Sequence, residues 1–167
     1  MAAAGLPWAH FVGHSMGGYI SMQLAAERPE HVGRLVLVAP AAVPAARTLR
    51  GEVVPLLGAL RAMRPDFLPI LTYDALRAGP ITLLRAARDL LVVDDHGEFG
   101  RIAVPTLLIW GANDTLVLPA TGELLRRELP DARLLVLPRA GHVVMYDRPR
   151  AFDDAVLAFL AGEVVGI

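Results

Sequence analysis

Six residues, Gly13-His14-Ser15-Met16-Gly17-Gly18, constrain this chain more than any other stretch. They join an apolar run at residues 9–12 to a helical stretch at residues 16–28 that stops before Pro29. A serine set between glycines at a sharp strand-to-helix turn projects its hydroxyl clear of the backbone, as a nucleophile requires. The spacing implies that Gly13 and Gly17 are glycine because a Cβ at either would collide where the helix folds back on the strand. The helix start behind Ser15 brings free backbone N–H groups to a developing oxyanion, and the Met16 N–H is the natural donor. A serine hydroxyl is a weak nucleophile unless a base takes its proton, so the motif predicts a histidine elsewhere.

Four short apolar runs, at residues 9–12, 34–39, 106–110 and 133–137, read as strands. They lack alternation, which suits strands of a parallel sheet covered on both faces. Helices are expected at residues 16–28, at residues 121–128 before Pro130, and from Pro149 to about residue 160. Strand alternating with helix predicts an α/β fold. Between the second and third strands, residues 41–100 break that rhythm. Stretches 47–60, 66–77 and 81–91 read as short amphipathic helices, separated by Pro65, Pro69, Gly79 and Pro80. The insertion leaves from the C-terminal edge of a strand, where open α/β sheets bind ligands, and is therefore expected to be a lid. This divides the chain into residues 1–40 with the nucleophile strand, a cap at 41–100, and residues 101–167 with the rest of the core.

The acid and base can be located by position. Serine, acid and histidine are expected in that chain order. Asp114 lies in Trp110-Gly111-Ala112-Asn113-Asp114, just past the third strand, and His142 lies in Ala140-Gly141-His142, just past the fourth. All three side chains then come from loops at one edge of a parallel sheet. His10 sits in a strand, His31 in a polar segment and His96 in an acidic turn beside Asp94 and Asp95, so each is read as packing or surface. Asp147 is read as a cap of the last helix. His14 is read as a packing or pocket-wall residue and, with Val143, as a candidate substrate contact.

Bulk properties exclude several function classes. The 167 residues carry 16 basic and 17 acidic side chains in no long block of one sign, giving a formal net charge of −1. Neither a nucleic-acid footprint nor a basic membrane patch is present. With no cysteine, disulfides, thiolate metal sites and a cysteine nucleophile are ruled out. No cofactor, metal or nucleotide site is expected. The opening residues have no basic leader pattern, and the longest apolar run, residues 35–46, is interrupted by Pro40 and Pro44. A membrane span needs about 20 apolar residues, so a cytoplasmic protein acting on a small molecule is expected.

The motifs Gly13 to Gly18, Val104-Pro105-Thr106-Leu107-Leu108-Ile109-Trp110-Gly111-Ala112-Asn113-Asp114 and Ala140-Gly141-His142 resemble those of α/β-hydrolase fold proteins. The likeness is to the C-terminal part of the serine esterases, lactonases, carbon–carbon bond hydrolases and perhydrolases of that family. It implies a partial α/β-hydrolase fold, with about four mostly parallel strands and a helical lid. Family members carry further strands and an oxyanion loop before the nucleophile strand, whereas eight residues precede it here. On that reading the second oxyanion donor has no counterpart, a loss of roughly 2.7–4 kcal/mol of transition-state stabilisation. The nucleophile strand would form a bare sheet edge, open to pairing with a second copy.

The leading expectation is a serine-dependent hydrolase of small, fairly apolar esters or lactones. Leu56, Leu57, Leu60, Met63, Phe67, Leu68, Ile70 and Leu71, with Val143, Val144 and Met145, offer apolar walls. Two readings compete with it. One is a catalytically weak or silent fragment that self-associates; the other is an acyltransferase or perhydrolase using the same three residues.

Overall fold

The computed structural model describes residues 5–41, 64–82, 85 and 99–165. Its centre is a four-stranded, all-parallel sheet of β1 (Ala9–His14), β2 (Val32–Val38), β3 (Thr106–Gly111) and β4 (Ala132–Leu137), arranged in chain order. Around it lie α1 (Met16–Glu27), α2 (Leu68–Ala78), α3 (Pro119–Glu128), the short α4 (Val144–Asp147) and α5 (Pro149–Ala161).

β1 continues two residues past the apolar run. Its ladder with β2 extends through Gly13↔Leu37 and His14↔Val38, so the backbone stays extended although neither residue favours a strand. The central strands are buried on both faces, as their unbroken apolar sequence requires. On one face Leu35, Leu37, Leu108 and Trp110 pack with Tyr19, Met22 and Ala25 of α1 and with Leu125 of α3. On the other, Val36, Val38, Leu107 and Ile109 pack with Val144 of α4 and with Ala155, Val156 and Phe159 of α5. Pro119 and Pro149 stand at the first positions of α3 and α5, where a missing N–H costs nothing.

Because all four strands run the same way, the loops that follow them open at a single edge of the sheet. Strain collects at that edge. Ser15 after β1, Ala39 after β2 and Arg139 after β4 are the described non-glycine residues with positive φ, at 52°, 40° and 58°.

Of the expected insertion, residues 42–63, 83–84 and 86–98 lie outside the described residues. This covers the expected helix at 47–60, most of that at 81–91, His96, Asp94 and Asp95, and Leu56, Leu57, Leu60 and Met63. The stretch expected to be helical at 66–77 is a turn at Pro65–Phe67 followed by α2. Phe67 is half-buried, its ring centroid 4.7 Å from that of Tyr146 in α4, while Leu68, Ile70 and Leu71 are exposed. The Arg64 guanidinium caps the same tyrosine ring at 5.1 Å and pairs with Asp66 at 2.6 Å.

Candidate active site

Ser15 takes a conformation, φ 52° and ψ −117°, that an L residue seldom occupies. A strain of about 1–3 kcal/mol persists only where surroundings enforce it. Here the Ser15 N–H donates to the Val38 carbonyl at 2.9 Å, and the Ser15 carbonyl accepts from Tyr19 N–H at 3.2 Å and Ala41 N–H at 3.1 Å. The turn is thereby tied to the end of β2 as well as to α1. Met16 opens α1, so its N–H belongs to the first turn, whose donors have no intrahelical partner.

The glycines divide the work differently from the reading of the motif. A Cβ on Gly13 would lie 2.5 Å from the Gly17 carbonyl oxygen and 2.7 Å from Gly18 Cα, so position 13 admits only glycine. Gly17, expected to be crowded, has nothing within 4 Å of its Cβ direction. Gly18 is the tight position, its Cβ direction ending 2.8 Å from Pro40 Cβ. The reason is rotational: α1 lays the backbone of residue 17 on Gly13, and one residue later its face turns towards the end of β2.

Asp114 is held by the loop after β3. The Trp110 indole N–H donates to the Val117 carbonyl at 2.9 Å, which closes the loop around the acid. Asp114 Oδ1 accepts from the Leu116 and Val117 N–H groups at 2.8 and 3.0 Å. Oδ2 lies 2.8 Å from His142 Nδ1. A carboxylate only accepts, so Nδ1 carries the proton and Nε2 is left as the basic nitrogen. The side chain of Asp114 is fully buried and that of His142 is 10% exposed, so this charge-assisted bond is shielded from water.

Gly111, the last residue of β3, makes room for the histidine. A Cβ there would fall 2.2 Å from the Gly141 carbonyl oxygen and 2.4 Å from that of Ala140. The loop bearing His142 thus rests on β3 itself. Asp147 has a different duty from the helix cap expected of it. Its Oδ2 accepts the Gly141 N–H at 2.7 Å, while the cap position of α5 is Arg148, with no side-chain cap bond. It braces the histidine loop from the α4 side.

His14 Nε2 lies 2.9 Å from the His142 carbonyl oxygen, and the two rings are 4.7 Å apart, centroid to centroid. Burial first, and then the neighbouring His142, push His14 below the ordinary histidine range; the bond to the His142 carbonyl and the Asp114 charge act the other way. Among the described residues no hydrogen bond joins the Ser15 hydroxyl to the His142 ring. Such bonds are often long or poorly aligned before substrate is seated.

Other candidates fall elsewhere. His10 is exposed on β1, edge-on to Trp8, and His31 Nδ1 bonds the Pro7 carbonyl. Val143 is half-buried at the start of α4, whereas Val144, expected as a pocket wall, is fully buried in the core between α4 and the sheet. Among the described residues no group of three histidine and carboxylate side chains is placed to hold a metal ion.

Residues 3–155 match the model of the alpha/beta hydrolase family. The chain belongs to the alpha/beta hydrolase family. Over 96% of its length this alpha/beta hydrolase is 29% identical to a 2-hydroxy-6-oxo-6-phenylhexa-2,4-dienoate hydrolase of Burkholderia cepacia. Over 90% it is 31% identical to the sn-1-specific diacylglycerol lipase ABHD11 of Mus musculus. The chain spans 65% and 58% of the length of these two curated relatives. Among solved structures it resembles a serine hydrolase involved in carbazole degradation, the CarC enzyme, with a TM-score of 0.74 and 27% identity. That match covers 93% of this chain and 64% of the other. The alpha/beta hydrolase fold and membership of a family of hydrolytic enzymes are therefore established.

Proposed function

We propose that this chain carries out serine-dependent hydrolysis through a covalent acyl-enzyme, with small, fairly apolar carboxylic esters or lactones as substrates. The observation that carries the reading is the buried Asp114–His142 hydrogen bond at the same sheet edge as the strained Ser15 turn. In this scheme His142 Nε2 takes the Ser15 proton as Oγ attacks the substrate carbonyl. Asp114 holds the ring in the Nδ1–H tautomer and stabilises the imidazolium. The Met16 N–H faces the developing oxyanion. Collapse of the tetrahedral intermediate expels the alcohol, which leaves with the proton from His142. Water then attacks the acyl carbonyl and gives a proton to His142; collapse breaks the bond to Ser15 Oγ, which takes that proton back from His142 as the acid leaves.

The CarC likeness supports the serine mechanism, and the mouse relative, named as a lipase, supports ester chemistry. A second reading replaces the ester with a 2-hydroxy-6-oxo dienoate, favoured by the name of the Burkholderia relative. Labelling of the 167-residue chain by a fluorophosphonate, read by intact mass beside Ser15→Ala, tests the mechanism. One adduct per chain, lost in the variant, is the expected result; adducts that survive in Ser15→Ala refute it. A panel of short-chain esters, lactones and dienoates then separates the two substrate classes by which one turns over. For localisation, no helix among the described residues is long and apolar enough to cross a membrane.

A further inference from the structure

We propose that His14 is a positioning residue, which sets the His142 loop against the Ser15 turn through its hydrogen bond to the His142 backbone. This inference rests on the roles given above to Ser15 and His142. The two turns are far apart in the chain: His14 and His142 are separated by 128 positions. Both strands end at one sheet edge, but strand ends alone leave the loops free to drift against each other. The 2.9 Å contact from His14 Nε2 to the His142 carbonyl ties the two loops directly to each other. A carbonyl only accepts, so His14 must hold its proton on Nε2 and donate it. The bond falls on the backbone of residue 142 rather than its ring, so the ring keeps Nδ1 for Asp114 and Nε2 for the serine.

The second observation is the tilted contact of the two imidazoles, centroids 4.7 Å apart and planes inclined by 48°. A base that becomes imidazolium during the reaction tolerates a neutral ring there and is opposed by a charged one. The groups whose charges bear on His14 are His142, which acts with burial to favour the neutral ring, and Asp114, which acts against it. Position 14 thus supplies a donor, a flat contact surface and no charge. Asp147 of α4 holds the same loop through the Gly141 N–H.

Two variants separate these contributions: His14→Phe keeps a ring without a donor, and His14→Gln keeps a donor near the Nε2 position without a ring. Each is compared with wild type in second-order fluorophosphonate labelling and in the low-field proton resonance of the His142 Nδ1–H. A misplacement of about 1 Å in catalytic geometry costs on the order of 100-fold in rate. His14→Phe should therefore label roughly 10–100-fold more slowly and move or broaden the resonance, and His14→Gln should recover most of both. Wild-type labelling and an unmoved resonance in His14→Phe would overturn the proposal; so would equal losses in both variants, which indicate packing alone. Should neither variant fold, the wild-type ¹⁵N spectrum decides, because an Nδ1–H tautomer at His14 excludes the bond. Labelling that persists in Ser15→Ala removes the serine mechanism, while the His142 resonance still tests the positioning role.

Discussion

Gly111→Ala is the substitution whose effect the geometry fixes best. The new Cβ would lie 2.2 Å from the Gly141 carbonyl oxygen, 2.4 Å from the Ala140 oxygen and 2.6 Å from the Ala140 carbonyl carbon. These are backbone atoms with no flexible end to swing aside. Ordinary contact begins near 3.4 Å, so the loop that carries His142 must retreat by about 1.2 Å. β3 cannot yield instead, because it is fully buried and paired on both sides. A shift of this size lengthens the 2.8 Å Asp114–His142 bond and carries the imidazole away from Ser15. Misplacement by about 1 Å costs on the order of 100-fold in rate. Overpacking a close-packed site costs a further 1–3 kcal/mol or so of stability. For a domain of this size that lowers Tm by roughly 2–12 °C.

The assay is the fluorophosphonate labelling rate together with a thermal melt, with Gly17→Ala as the control. Gly17 has open space along its Cβ direction, so alanine there should leave Tm unchanged or raise it slightly. The reasoning fails if Gly111→Ala labels within about twofold of wild type at an unchanged Tm. It fails equally if Gly17→Ala is the more destabilised of the two.

Asp114→Asn should cut labelling by about 10⁴, as a wrong histidine tautomer does in a serine triad, with little loss of fold because Oδ1 can still accept from Leu116 and Val117; a drop below tenfold removes Asp114 from the mechanism. Ser15→Gly should abolish labelling yet raise stability by about 1 kcal/mol, since glycine occupies φ 52° without strain; a lower Tm than Ser15→Ala would refute this. The folded state depresses His14, so the unfolded chain takes up the proton first as pH falls below 6.5. Stability is therefore present above 6.5 and lost below it as pH falls towards the folded value, and chemical denaturation of His14→Gln should lack that part of the slope. β1 is an outer strand of the described sheet, with Val12 on it and Trp8 just before it exposed, and we propose that it pairs with a second copy; sedimentation of Val12→Lys should then shift towards monomer, and an unchanged distribution rejects it.

Local chemistry was enough to read the four strands, the turn at Ser15 and the helices expected at 16–28, 121–128 and from Pro149, the second of which begins two residues earlier, at Pro119. A buried parallel strand must be apolar on both faces, and a sharp turn into a helix must carry glycine, so each signal sits within a few residues. Strand ends were harder. β1 runs on through Gly13 and His14 because β2 pairs with it, a fact that resides in residues 37 and 38 rather than in its own sequence. Asp114 and His142 could be chosen from the expected chain order together with position, since the loops after parallel strands must share an edge.

What the sequence by itself determined is thus which side chains arrive at that edge; only the tertiary structure decided how they are held. It made Gly18 rather than Gly17 the crowded glycine, buried Val144 in the core and turned Asp147 to the Gly141 N–H. It also laid His14 on His142. The physical reason is common to all four. Periodicity and turn chemistry report on neighbours along the chain, whereas these contacts join segments packed together by the sheet and the rotation of its helices, and no local pattern encodes their distance or direction.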